Sequence, residues 1–391
     1  MKSYDVVVVG GGIIGSAIAF ELAAQKFRVA LLDRQQPGRE ASWAAAGMLS
    51  PGPDSSEGLP LVSLAKESLR LYPDFVSAIE ENSGKIVEFA REGALEIFGG
   101  PDGFTKRDQL LAQYAELGLV AKPISSEAAR AFEPALNPNA HAIAWLPGEA
   151  AVDPRLLIDA TLAAAKKRTV EILPSHAVTS VLAENGRCTY VVADGQKIAA
   201  KHIVIAAGSF CGKIGEPAAP GSIGIGRYAP THPVRGQMIA LRSSKVNLKK
   251  VLRSDHGYIV PRNDGRIIAG STLENAGFAR ETTPQGLRTI FDAAVALAPA
   301  LADAEILESW AGLRPGTPDH LPIIGPTDIL GLLIATGHYR NGILLAPVTA
   351  KLIRDWIVEG KTSFSTEKFS PMRFSVANSA TATVKSAPTA F

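Results

Sequence analysis

Cysteine is almost missing from this chain: Cys188 and Cys211 are the only two among 391 residues. They are spaced unlike a metal knuckle or a redox CxxC pair, which argues against a zinc site and a disulfide framework. No metal is expected, and a reducing compartment, the cytoplasm, fits best. A block of like charge is missing too. With 40 basic residues against 38 acidic ones and a formal charge of +2, there is no footprint for nucleic acid, so the expected partner is small. Long apolar runs are scarce. The uncharged stretch from Val6 to Phe20 is bounded by Asp5 and Glu21 and carries Gly10, Gly11, Gly12 and Gly15, which marks folded structure rather than a leader peptide. No other stretch reaches the roughly 18 apolar residues of a spanning helix, so membrane insertion is not expected. There is no internal repeat. What remains is an ordinary globular composition, 46% hydrophobic and 20% charged, long enough for about two domains.

The β-branched run Val6 to Val9 predicts a parallel strand buried on both faces. A helix is predicted over 13–24, and a second strand over 27–32 ends on Asp33, completing a βαβ unit. The Pro/Gly/Ser-rich residues 50–60 leave this unit as a loop, and a helical segment follows over 63–72. From 169 to 208 short β runs are punctuated by Asn185-Gly186 and Asp194-Gly195, the hairpin signals of a small antiparallel insert. Its last run, 202–207, stops at Gly208 and returns to the parallel sheet. A second antiparallel region, about 231–270, is where the substrate is placed. A strand at 332–335 runs into a helix over about 342–358, and beyond 363 no core-forming period continues, so a loose tail is expected.

Chemistry enters at Gly10-x-Gly12-x-x-Gly15, which falls at the strand-to-helix turn of the first unit. Gly10 permits the tight turn, Gly12 lets backbone approach a pyrophosphate, and Gly15 lets the helix pack on the strands. Helix N-terminal amides then face the phosphates. Asp33, 18 residues after Gly15, is placed to accept from a ribose. This pattern points to a dinucleotide but does not by itself separate NAD from FAD. The small-residue segment Ala41-Ser-Trp-Ala-Ala-Ala-Gly-Met48 bears on that choice, because a continuous nicotinamide domain has no need of it.

That segment is similar to the loop passing the flavin in the D-amino-acid oxidase family. Three more segments look like the glycine oxidases of that family, the branch serving thiamine biosynthesis: His256-Gly-Tyr-Ile-Val-Pro-Arg262, Trp310-Ala-Gly-Leu-Arg-Pro-Gly-Thr317 and Gly337-His-Tyr-Arg-Asn-Gly-Ile-Leu-Leu-Ala-Pro347. The resemblance spans about residues 4 to 358. It implies that Arg314 holds a substrate carboxylate through two parallel charge-assisted bonds. Tyr258 would donate a further bond, and the backbone carbonyl of Arg340 would accept from the amine. Implied FAD contacts are Gly10, Gly12, Ile13, Ile14, Gly15, Asp33, Arg34, Ser42, Ala46, Gly47, Met48, Val178 and Gly208. To these it adds the run His338, Tyr339, Arg340, Asn341, Gly342, Ile343 and Leu344, whose amide dipoles would point at the flavin N1 and C2 carbonyl region. His256 and His338 are set aside as general bases, because hydride transfer from a neutral amine needs no base at carbon. Monomeric sarcosine oxidases tether flavin through a cysteine near their C-terminal motif; here no cysteine follows Cys211, so the FAD is expected to be noncovalent.

The fold class expected is α/β, with a Rossmann-like FAD domain (1–87, 151–225 and 311–370) and an antiparallel-sheet substrate domain (88–150 and 226–310), followed by a loose tail, 371–391. The implied reaction is oxidative deamination of glycine, sarcosine or small D-amino acids, with dioxygen as acceptor and hydrogen peroxide as product. Further copies of the same chain are the one other partner left open. A D-amino-acid dehydrogenase, a demethylating sarcosine enzyme and a catalytically silent FAD-binding subunit remain as rivals.

Overall fold

A computed structural model describes residues 2–53, 56–215 and 221–375. Among these residues the strands form two eight-stranded sheets and a three-stranded one. The first sheet is nucleated by Ser3–Val9, which pairs in parallel with Val29–Leu32 on one side and with Gln196–Ile205 on the other. Val6 and Val8 pack with the helices Ile13–Ala24 and Gly342–Glu359, while Val7 and Val9 pack with the hairpin insert on the opposite face. Both faces are dry, which is why the run carries no polar alternation.

The strand Gln196–Ile205 serves two partners. Its first half closes the insert as a hairpin with Arg187–Ala193, and its second half runs parallel to both Ser3–Val9 and Leu332–Thr336. It therefore begins earlier than the stretch 202–207 read from the sequence. The two hairpin turns have both central residues left-handed, Asn185 and Gly186 at φ 51° and 74°, Asp194 and Gly195 at 49° and 75°. That is the backbone a type I′ turn requires.

The second sheet takes its strands from 94–146 and 232–316. Along His232–Arg242, Ile239 and Leu241 point to one face, beneath the helix Pro284–Leu297, and Met238 and Ala240 to the other. The strand Glu305–Gly316 pairs with this sheet through to Gly316, so it continues past residue 311, where the sequence suggested a boundary. The loop expected over 50–60 contains a short 3-10 turn, Ser56–Leu61, leading into a helix, Val62–Ser83, longer than predicted. The region beyond 363 departs from expectation. Phe369 is buried in the core of the first unit, and Arg373 pairs with Asp319 at 2.7 Å. Phe364 and Phe374 also pack, partly buried, against the two faces of the first sheet, and such scattered anchors leave no period to read. Residues 376–391, the rest of the expected tail, lie outside the described residues. Among the described residues no helix is long and apolar enough to cross a membrane.

Candidate active site

The carboxyl ends of the parallel strands face the Met238 side of the second sheet across a cavity of about 1030 Å³. That exceeds what an amino acid alone would fill and suits a large cofactor with a small substrate. Twenty of the nucleotide-loop and substrate residues expected from the sequence converge there. Gly10, Gly12, Ile13, Ile14, Asp33, Arg34, Ser42, Ala46, Gly47, Met48, Val178 and Gly208 line one side, with His338, Tyr339, Asn341, Gly342 and Ile343 at its far end beside Arg340. Tyr258 and Arg314 line the wall given by the second sheet. Two expected contacts do not reach it. Gly15 is spent on packing, since a Cβ there would run into the Gly10 carbonyl, and Leu344 is buried with its carbonyl taken by Ser68 Oγ at 2.6 Å.

At the first helix, Gly12 caps the N-terminus in extended backbone and the Ile13 amide donates to Ser42 Oγ at 2.9 Å. Asp33 accepts from the Gly11 amide at 2.7 Å and from the Gln35 amide at 2.9 Å. Burial raises its carboxyl above the usual range, against the pull of those two amides. Arg34 stacks its guanidinium 3.5 Å from the Phe210 ring centroid and pairs with Glu40.

The last helix supplies a second positive pole. Its first amides, at Gly342 and Ile343, have no intrahelical partner, and these two residues line the cavity. Tyr339, left-handed at φ 49°, makes the turn into it and donates its amide to Pro315 at 3.2 Å, tying the helix start to the Arg314 strand. Pro347 lies inside this helix and lacks the N–H that Ile343 would receive. The buried Tyr72 hydroxyl supplies that bond instead, at 3.1 Å. His338 faces Thr349 Oγ1 at 3.0 Å, and burial pushes its imidazole down to about 3, so it is neutral.

Register builds the opposite wall. Met238, Gly270, Tyr258, Arg253 and Glu96 stand side by side on successive strands, and cross-strand neighbours share a face. Arg314 lies over Gly236, where any Cβ would collide with the guanidinium. It donates to Ser271 Oγ at 2.6 Å and to the Thr272 carbonyl at 3.2 Å. Burial lowers its pKa, and the like charge of Arg340 adds to that, yet a guanidinium stays charged.

Compared with known proteins, residues 5–356 match the DAO family, described as FAD dependent oxidoreductase. The chain belongs to that family. Among its DAO relatives, the bifunctional protein ThiO/ThiG of Synechocystis is 36% identical over 95% of this chain and 54% of the relative. The chain thus spans about half the length of those bifunctional relatives. Glycine oxidase of Pseudomonas putida is 32% identical over 94% of this chain and 98% of the relative. The crystal structure of glycine oxidase from Geobacillus kaustophilus superposes with a TM-score of 0.89 at 30% identity, covering 95% of this chain and 99% of that one.

The residues present fit the FAD of the DAO family. Two helix N-termini, at Gly12 and Gly342, open on one cavity, as a ligand with both a diphosphate and an electron-rich ring edge requires. Sequence reasoning missed Gly236, Ser271 and Thr272, which cradle Arg314, and Glu40, which gathers Arg34 and Arg280. Gly236 carried a usable signal, because a glycine inside a strand marks a close approach. Glu40 carried none.

Proposed function

We propose that the chain oxidises glycine and other small amino acids, sarcosine and small D-amino acids among them, to the imine and 2-oxo acid, with dioxygen as acceptor and hydrogen peroxide as product. The carrying observation is Arg314. It lies buried against the cavity beside neutral groups, the Ser271 hydroxyl, the Thr272 carbonyl and Tyr258, and pairs with no carboxylate among the described residues, so its charge calls for an incoming anion. A substrate carboxylate supplies one in the bidentate geometry a guanidinium prefers.

In this reading Tyr258 adds a bond to the same carboxylate, and the Arg340 carbonyl accepts from the amine. Two fixed ends orient the α-hydrogen towards the cofactor. FAD, when bound, supplies the two-electron chemistry and the route to dioxygen. First-turn amides of the last helix stabilise negative charge at the ring edge. No side chain is needed as a base at carbon. His338 is neutral and turned to Thr349, and His256 is exposed. Gly10, Gly12, Ile13, Ile14, Asp33, Arg34, Ser42, Ala46, Gly47, Met48, Val178 and Gly208 hold the FAD. A role in supplying thiazole synthesis for thiamine, in the cytoplasm, accords with the likeness to the ThiO/ThiG proteins and with two buried free thiols.

The test is an anaerobic panel of glycine, sarcosine and small D-amino acids, followed by oxygen. Bleaching of the flavin and its recovery with peroxide are expected. Bleaching without oxygen recovery would reassign the chain as a dehydrogenase, and no bleaching by any of them would discard the reading.

A further inference from the structure

The motif His256 to Arg262 ends on a side chain that neither the carboxylate site nor the cofactor contacts use. Arg262 comes from the second sheet, and its side chain is only 2% exposed, 3.5 Å from the equally buried Asp153. Its Nη2 donates to the Ala46 carbonyl at 2.6 Å. Asp153 caps the helix Pro154–Lys167 through the Arg155 and Leu156 amides and also takes Arg266 at 3.0 Å. Arg262 therefore joins a hairpin of one sheet, a helix packed on the other, and the segment 41–48 between them.

The neighbours of Ala46 are held in the same sense. Trp310 Nε1 donates to the Ala44 carbonyl at 3.1 Å, and the Val152 amide to the Gly47 carbonyl at 2.9 Å. None of these donors lines the cavity, whereas Ala44, Ala46, Gly47 and Met48 do. The carbonyls are thus drawn away from the cavity. Across a planar trans peptide the N–H points opposite the C=O, so the Gly47 and Met48 amides face into it. Gly47 is left-handed at φ 79° and a Cβ there would strike the Val152 carbonyl, which fixes the turn from the other side.

We propose that Arg262 is a positioning residue: anchored by Asp153, it holds the Ala46 carbonyl and so aims the Gly47 amide at the flavin ring. Docking of the second sheet then sets the polarity of the cofactor pocket. This rests on the reading that the cavity holds FAD with its ring beside residues 44–48. The test uses Arg262→Lys and Arg262→Gln, stripped of flavin and titrated with FAD, with the visible spectrum and midpoint potential of the reconstituted proteins. Lysine keeps the charge opposite Asp153, but one ammonium lacks the fork to reach both partners.

The dissociation constant for FAD should rise about tenfold in Arg262→Gln, the weight of one charge-assisted hydrogen bond. Both variants should show a shifted flavin spectrum and a lowered midpoint potential, while Lys restores the thermal midpoint of the apoprotein. If the Gln variant does not fold, the Lys variant alone decides. A wild-type spectrum and potential in Arg262→Lys, or a fall in thermal midpoint with no spectral change, overturns the proposal. Gly12→Ala separates the two levels: if it too leaves FAD affinity unchanged, the placement of the cofactor is what fails.

Discussion

At the scale of single residues, the proposed function would concentrate the grip on substrate in one guanidinium, that of Arg314. A small amino acid offers little besides its carboxylate, and truncating one member of a buried charge pair costs about 2 to 5 kcal/mol. Arg314→Ala should therefore lose roughly 30-fold to several thousand-fold in kcat/KM, measured as flavin reduction at equal FAD content. Lysine should recover part of this, and Tyr258→Phe should cost less than either. A reduction rate within a few-fold of wild type in Arg314→Ala would move the carboxylate elsewhere. His338 gives a different signal. Burial holds it down to about 3, so below its ordinary value of about 6.5 the unfolded chain takes up a proton that the folded chain refuses. Its contribution is fully present above that value and is lost as pH falls towards 3, about 2 kcal/mol by pH 5. The urea midpoint should drop between pH 7 and 5, and His338→Gln should flatten that drop. Arg314 was legible in the sequence because a motif surrounds it. Its cradle was not, since Gly236, Ser271 and Thr272 meet it only through strand register, which no local pattern encodes.

At the scale of elements, the last helix begins under an unusual constraint. Pro347 removes the bond to the Ile343 carbonyl and Tyr72 restores it from the helix Val62–Ser83. Tyr72→Phe leaves that buried carbonyl unmet and should destabilise the protein by about 1 to 3 kcal/mol in urea unfolding. In a Pro347→Ala background the backbone amide returns, and the same substitution should cost much less. Equal costs in the two backgrounds would mean that the hydroxyl is not replacing the missing amide. The βαβ unit and the helix over 342–358 were readable, because their hydrophobic periods and glycine signals are local. The Tyr72 bond was not, because it joins residues 271 apart in sequence.

At the scale of the whole molecule, the cavity lies between two sheets, and a ligand filling it ties them together. FAD at 100 times its dissociation constant should stabilise the fold by about 2.7 kcal/mol, seen as a rise in thermal midpoint over the apoprotein. Neither Cys188 nor Cys211 lines the cavity, and both thiols are buried and pushed up to about 12. The flavin should accordingly leave the protein on acid precipitation; colour retained in the denatured pellet would show a covalent tether.

The packing of the helix Gly342–Glu359 against the helix Ile13–Ala24 has a consequence for biogenesis. The glycine turn emerges from the ribosome long before the helix that covers it. At about 5 to 20 residues per second, the nascent N-terminal unit waits roughly 20 to 70 s with an apolar face exposed. Its central strand also lacks Gln196–Ile205 for much of that time. The cofactor cavity stays incomplete until that helix has emerged, and the growing chain is a natural client for a holdase until then.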